Sequence, residues 1–367
     1  MLTGYFLGLG VVMAIWGARM PAVQHAAHLT TGSLSLVLLA AAVGMVAGLR
    51  AGGRLARPEH LPVLLTGGAV ALAAALAVLG QCRTLASLFA AALAFGAAHG
   101  VLDVAANTAA VRCQHAYGRP VMSSLHAAYS IGALVGAALA AATAGTAHNT
   151  LFLAVGATLT AGALVAVPPT LTLSGTDPTL LSPDQGQRRT AGSVWLLGAL
   201  AAASLLGEGA AADWSAVHVH ALQAGTALAA GAFALYSSGM AIGRLTGDRL
   251  TTRFGAPLVV RFGALLAATG LATGVLADTV PAALAGWAVF GFGLSGTVPS
   301  LITAAGTHGP RAVATVSVTG YLGLMAGPAL IGAFASITTL PTALLLPALL
   351  AAVLAVLARR ALENPTP

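Results

Sequence analysis

Residues 44–55 read GMVAGLRAGGRL, and residues 239–250 read GMAIGRLTGDRL. Six of these twelve positions are identical at an offset of 195 residues, in a chain of 367. A match at about half the chain length points to internal duplication, and working outward from it finds more. At the same offset Phe95-Gly96 answers Phe290-Gly291. Gly132 and Gly136, four apart, answer Gly323 and Gly327 at an offset of 191, which a small loop deletion explains. The three matches keep their order along the chain. Between the copies lies the one long polar stretch, Pro168 to Gly192, PPTLTLSGTDPTLLSPDQGQRRTAG, with the Pro, Ser, Thr and Gly content of a linker.

The duplicated unit is apolar. Hydrophobic residues make up 58% of the chain and charged residues 7%, whereas a soluble domain is roughly half apolar and about one quarter charged. Crossing a bilayer takes roughly 20 apolar residues per helix. Twelve such stretches are present, at 2–23, 32–52, 61–80, 84–110, 121–143, 149–167, 193–216, 224–246, 257–277, 281–305, 311–333 and 340–358. The expected architecture is therefore all-α integral membrane, with twelve transmembrane helices in two pseudo-symmetric six-helix bundles. The bundles span residues 1–167 and 193–367, joined by a cytoplasmic linker over 168–192. Internal symmetry of this kind is common in secondary transporters. Many of the 45 glycines lie four apart, a spacing that lets helix backbones approach closely in lipid.

Charge fixes the expected orientation. The chain has no Lys; its 16 basic residues are all Arg, and the sequence pI is near 10.4. With both termini on one side, every Arg but Arg19 and Arg83 falls on that side, which is the positive-inside bias of a multi-pass protein with cytoplasmic termini. The basic excess thus reads as topology, which argues against a nucleic-acid partner. Cys82 falls in an outer loop and Cys113 at the inner end of span 4, too far apart for a disulfide. The first span has almost no basic n-region and reads as retained, not as a cleaved signal.

The loop between spans 8 and 9, GRLTGDRLTTRFG at 243–255, resembles the loop signature of the major facilitator superfamily, here carried by Gly243, Asp248, Arg249, Arg253 and Gly255. Its first-half copy, GGRLARPEH, is degenerate, with Gly53 where the Asp would stand. LDVAANTAA in span 4 resembles the acid-x-x-Ala-Asn of the fucose:proton symporter type, with Thr108 in place of the usual Pro. MSSLHAAYSIGALVG in span 5, GEGAAADWSAVHV in span 7 and GLMAGPALIG in span 11 are similar to a bacterial inner-membrane branch near those permeases. The resemblance covers nearly the whole chain. It implies the superfamily fold, alternating access without a cofactor, and proton-coupled uptake of a small polar solute, sugars among them.

The residues themselves nominate where chemistry would occur. His99, Asp103 and Asn107 in span 4 are each four apart and so form a stripe on one helix face. Ionisable groups in a membrane helix are costly and normally face the bundle interior or a wet cavity. By rise per residue, Asp103 lies about 13 Å from Arg112 at the end of its span, and His126 about 10 Å from Arg119 on span 5. Similar depth on consecutive helices makes an Asp103–His126 hydrogen bond an expectation, and a carboxyl alternately wet and dry would bind and release a proton. The alternative is a neutral, hydrogen-bonded structural carboxyl. Tyr129 and Ser130, beyond His126, join His99 and Asn107 as candidate substrate contacts.

On span 7, Glu208 and Asp213 are about 140° apart and cannot line one surface equally. Glu208 is the buried candidate for proton or substrate, while Asp213 and Trp214 read as an outer-end anchor or gate. Arg19, near the outer end of span 1, snorkels to the interface, pairs with Glu208 or Asp213 as a gate or, as a third alternative, binds an anionic substrate. At the opposite end, Asp248, with Arg249 and Arg253 beside it, is expected at the N-terminus of span 5, where the helix dipole favours an anion and Pro120 would be the first helical residue. The alternative there is a solvated turn.

No nucleotide loop, nucleophile constellation or metal set is evident; His25, His28, His218 and His220 are placed in outer loops with no completing ligands. The chain therefore reads as a monomeric transporter of the bacterial cytoplasmic membrane, not an enzyme, with a small molecule, protons and the lipid bilayer as partners. Only Asn107 among the Asn residues lies deep in a span, which argues partly against sugar; Ser123, Ser130, Ser204, Ser295, Thr297 and Ser300 supply hydroxyls instead. Two alternatives stand beside it: a proton-antiport exporter of drugs or metabolites, and a non-transporting membrane enzyme or scaffold.

Overall fold

The structure, a computed structural model, describes residues 1–175 and 191–363. Within hydrocarbon every backbone N–H and C=O must be bonded inside its own segment, so the apolar runs fold as helices. Twelve spans among the described residues are long and apolar enough to cross a membrane. They are Leu2–Ala26, Thr31–Leu55, Leu61–Gln81, Leu85–Tyr117, Met122–Ala142, His148–Val165, Ala191–Ala221, Thr226–Phe254, Ala256–Leu276, a tenth in two pieces, Pro310–Ile337 and Leu340–Leu362.

Several helices outrun the apolar stretches that announce them. Span 1 continues to Ala26 and span 7 to Ala221, which takes His25, His218 and His220 into helix, not into outer loops. Polar residues can extend a helix past the hydrocarbon because its hydrogen bonds are internal. His218 is in fact buried, with its Nδ1 accepting a hydrogen bond of 3.3 Å from Trp287 Nε1. Span 5 begins at Met122, so Pro120 precedes the helix and does not open it. The linker begins with helical turns at Val167–Leu171 and Thr172–Gly175. Its Arg188-Arg189 end lies outside the described residues.

Span 10 departs most from expectation. The uninterrupted helix read at 281–305 is two helices, Val280–Leu294 and Thr297–Gly306, broken at Ser295-Gly296. Pro299 has no N–H to offer the Ser295 carbonyl, and glycine is among the poorest helix formers. At the break Ser295 Oγ donates to the Phe292 carbonyl at 2.6 Å, and beyond it helical bonding resumes with the Ser300 N–H on the Gly296 carbonyl at 3.2 Å.

The helices cluster into two compact units that follow the two sequence halves except at two short segments. Tyr117–Ala127, from the last residue of span 4 through the turn to the start of span 5, clusters with the second-half helices, and Gly309–Ala314, at the start of span 11, with the first-half helices. Within each unit the helices touch through glycine. A Cβ on Gly44 would meet the Leu93 carbonyl, and one on Gly96 the Ala41 carbonyl, so spans 2 and 4 pack backbone to backbone. In the other unit, Gly239 lies against the Ala288 carbonyl and Gly291 against the Tyr236 carbonyl. Both pairs are the first-unit pairs shifted by 195. Gly132 and Gly136 likewise lie against the Leu7 and Val11 carbonyls, and Gly323 and Gly327 against those of Ala202 and Leu206. The repeat written in the sequence is thus a repeat of helix contacts, set by the positions where no side chain fits.

Candidate functional site

In the first unit, span 4 runs unbroken from Leu85 to Tyr117 and buries His99, Asp103, Asn107 and Arg112 along its length. The i, i+4 spacing puts the first three on one face. Asn107 Nδ2 donates to the Asp103 backbone carbonyl at 3.0 Å, while its Oδ1 is buried without a hydrogen-bond partner among the described residues. The positions equivalent to His99, Asp103 and Asn107 at the 195 offset are Leu294, Val298 and Ile302. One repeat therefore builds this part of the helix from hydrocarbon and the other from an acid, an imidazole and an amide. Packing alone needs no such polarity. The broken segment of span 10 falls at the same repeat position as the stripe. Asp103 belongs to the first unit and His126 to the second, as part of the start of span 5. Tyr129 and Ser130 follow on span 5, half-buried.

The second unit carries its polar group elsewhere. Glu208 on span 7 faces Arg244 on span 8, with Oε1 at 3.5 Å from the guanidinium, and the two side chains are 19% and 8% exposed. The Tyr236 hydroxyl, two turns along span 8, lies within electrostatic reach of both, and the His126 ring within reach of Arg244. Tyr236 Oη and Ser204 Oγ, the latter one turn before Glu208, are buried with no hydrogen-bond partner among the described residues. Phe290 closes one side, against Gly207 and with its ring centroid 6.0 Å from that of Tyr236. The repeat equivalents of Glu208 and Arg244 are Met13 and Leu49, so this pair too is an addition to an apolar template.

Arg19 takes a partner other than the acids proposed for it. It is buried, and its guanidinium donates to the carbonyls of Ala140 at 3.0 Å, Ala144 at 3.3 Å and Thr143, and to Thr143 Oγ1 at 3.0 Å. These are last-turn acceptors of span 5, which have no partner within their own helix. Glu208 accordingly has Arg244, not Arg19, as its cation. The repeat equivalent of Arg19 is Trp214, whose Nε1 donates to the Pro328 carbonyl on span 11 at 3.3 Å. Span 1 is thereby tied to span 5, and span 7 to span 11, by side chains at one repeat position. Asp213 beside Trp214 is exposed, with no ion pair among the described residues.

The stretch expected as a loop between spans 8 and 9 is helical as far as Phe254, so Asp248 lies in the last two turns of span 8. Asp248 Oδ1 accepts the Ser123 N–H at 3.0 Å and Oδ2 the Ser124 N–H at 2.9 Å, with the Ser124 hydroxyl donating to Oδ2 as well. A carboxylate thus sits on the N-terminus of span 5, where the unpaired amides and the helix dipole favour it. Arg249 is exposed, and Arg253 lies over the Phe254 ring at 5.2 Å. The first-half counterpart of Asp248 is Gly53. A Cβ there would strike Ala314, the repeat counterpart of Ser123, so the end of span 2 meets the start of span 11 by close packing at a bare glycine.

The residue that sequence reasoning missed is Arg244. Counted among the positive-inside arginines, it is buried one turn inside Asp248, where solvation by headgroups does not explain it. Its apolar counterpart, Leu49, was the available signal.

No family model matches the chain. It is 35% identical over 354 residues to an uncharacterised MFS-type transporter of Yersinia pestis, covering 93% of this chain and 89% of that protein. An uncharacterised transporter of Sinorhizobium fredii is 33% identical over 361 residues, covering 96% and 95%. Among solved structures, a variant of the Escherichia coli fucose:proton symporter superposes with a TM-score of 0.72 at 16% identity, covering 99% and 98%. With homologues at 33–35% identity matching along almost their whole length, the chain belongs to the major facilitator superfamily of transporters.

Proposed function

We propose that this transporter takes up a small polar solute together with a proton, across the cytoplasmic membrane of a bacterium, as a monomer with both termini in the cytoplasm. The observation that carries the reading is the buried stripe of His99, Asp103 and Asn107, polar where its repeat counterpart is Leu, Val and Ile. A carboxyl in a membrane helix has a cost that a transporter recovers if the group titrates as the site changes its exposure. Asp103 is the proton carrier, Glu208 a second titrating acid, and His126 a partner in proton transfer. His99, Asn107, Tyr129, Ser130 and Glu208 hold the solute.

Alternating access follows from rocking the 1–167 bundle against the 193–367 bundle. Asp248 on the span 5 N-terminus, supported by Arg249 and Arg253, keeps the cytoplasmic side closed. Arg19, Asp213 and Trp214 govern the opposite end through their hold on spans 5 and 11. The fucose:proton symporter supports proton coupling by its name and this chain's resemblance in span 4, LDVAAN.

The test is thermal stability of the purified protein against a solute library at pH 5.5 and 7.5, with Asp103→Asn beside the wild type. The reading expects a solute that stabilises the wild type in a pH-dependent manner, with that dependence lost in the variant. Identical pH dependence in both proteins would make Asp103 structural.

A further inference from the structure

The second unit holds a cavity lined by none of the residues assigned to transport. It lies between spans 8, 9 and 10, beside Asp248, and measures about 360 Å³, where roughly 150 Å³ suffices to hold benzene. Phe254, Phe262 and Phe292 line it, and all three rings are exposed, Phe262 by 63%. Gly263 and Gly293 bring spans 9 and 10 into backbone contact there, and the break at Ser295-Gly296 completes the lining. Ser295 is the one polar side chain along it among the described residues, and its hydroxyl is taken by the Phe292 carbonyl. A hollow so lined offers water no partner and offers hydrocarbon a fit.

Two arginines accompany the rings. Arg253 precedes the lining Phe254 and lies over its ring at 5.2 Å. Arg261 precedes the lining Phe262, about 8 Å into span 9 by rise per residue. Both are exposed, and neither forms an ion pair among the described residues. Asp248, the acid at this end of span 8, is already held by the Ser123 and Ser124 amides. A guanidinium near the end of a span extends along the apolar surface to the headgroups. The group it meets at that level is a phosphate, which its planar fork matches.

Packing does not require this arrangement, because the first repeat does without it. The lining glycines Gly243, Gly247 and Gly263 keep their counterparts, Gly48, Gly52 and Gly68. The rings do not: Phe254, Phe262 and Phe292 answer Glu59, Gly67 and Ala97. Nor do the arginines, since Arg253 and Arg261 answer Pro58 and Thr66. One repeat alone thus carries both the aromatic surface and the positive charge beside it. We propose that this is a binding site for an anionic phospholipid of the adjoining leaflet, with an acyl chain in the hollow and the phosphate on Arg253 and Arg261. The chain lies beside the span 10 break, where Pro299 has removed a helical hydrogen bond, so the lipid stabilises the second unit. The site stands whatever the solute, and whether or not a proton accompanies it.

The experiment titrates full-length protein, purified in detergent and stripped of lipid, with dioleoyl phosphatidylglycerol or dioleoyl phosphatidylcholine. Native mass spectrometry gives the affinities, and thermal unfolding the stabilisation. An arginine at an anionic headgroup is worth about fivefold in affinity. Phosphatidylglycerol should therefore bind at least about tenfold tighter than phosphatidylcholine and raise the thermal midpoint more. Arg253→Gln/Arg261→Gln should weaken phosphatidylglycerol about twenty-five-fold and remove its advantage. Arg54→Gln/Arg57→Gln takes two exposed arginines from the first repeat and should alter neither lipid, although net charge falls equally. Val259→Trp, which puts a ring into the hollow, should weaken both lipids about tenfold. Leu266→Trp, at an exposed lining position that tolerates size, should do the same and guards against misfolding of the first. Glycerol phosphate, a headgroup without chains, should displace neither lipid. Any of four results would overturn the proposal: phosphatidylglycerol keeping its advantage in Arg253→Gln/Arg261→Gln, the two arginine pairs proving equivalent, the filled variants binding like the wild type, or glycerol phosphate displacing the lipid.

Discussion

Replacing Asp248 tests a polar contact between spans 8 and 5 that joins a carboxylate to two backbone amides. Its carboxylate is a cap supplied from another helix, accepting two backbone N–H groups of span 5 at 3.0 and 2.9 Å and a hydroxyl from Ser124. A helix cap contributes about 0.5–2 kcal/mol, and a negative charge in the first turn about 0.3–1 kcal/mol more when solvent-accessible. Asp248 is half-buried and bonds two amides while Ser124 is exposed, so the middle of both ranges applies, for a total of about 2 kcal/mol. Asp248→Ala should therefore shift the local opening equilibrium of the span 5 start by about thirtyfold. Asp248→Asn keeps an acceptor and loses the charge, for about 1 kcal/mol or fivefold. Hydrogen–deuterium exchange in nanodiscs reads this directly, since the Ser123 and Ser124 amides are the bonded donors. Exchange there should rise about thirtyfold in the Ala variant and less in the Asn variant, with no change over Arg311–Ala314. Wild-type exchange at Ser123 and Ser124 in Asp248→Ala would refute the reasoning.

Further outcomes are expected. Gly53→Ala should raise exchange over Arg311–Ala314 and leave the start of span 5 unchanged, because the end of span 2 meets span 11 by close packing at a bare glycine and not by a carboxylate. Gly44→Ala and Gly239→Ala should lower the thermal midpoint by similar amounts, about 1–3 kcal/mol each, because both drive a methyl into a facing carbonyl; Gly4→Ala, with open space around it, should be silent. Arg19→Met should cost about 2–4 kcal/mol in thermal unfolding, having released several carbonyls at the end of span 5, while Trp214→Phe removes one bond and should cost about 1 kcal/mol.

The sequence by itself determined that this chain is a twelve-span membrane protein built from a repeated six-helix unit. It could, because bilayer solvation imposes long apolar runs that composition reveals, and because the glycines that let helices meet backbone to backbone recur in a 195-residue register. Asp248 at the start of span 5 was legible too, since a lone acid in a basic loop has few places to go and a helix N-terminus is one. The polar stripe on span 4 could be read from i, i+4 spacing alone. What only the tertiary structure decided were the partners across helices. Arg19 lies on span 1 and Arg244 on span 8, and nothing local says that one finds the carbonyls of span 5 and the other a carboxylate on span 7. The break in span 10 was likewise hidden, because a proline three residues past a glycine permits a helix as readily as it interrupts one; in the fold Ser295 at the break packs on Gly243. Burial sharpened one point further: Arg244 counts in the sequence as one more positive-inside charge, and only its position inside the bundle, facing Glu208, makes it part of a site.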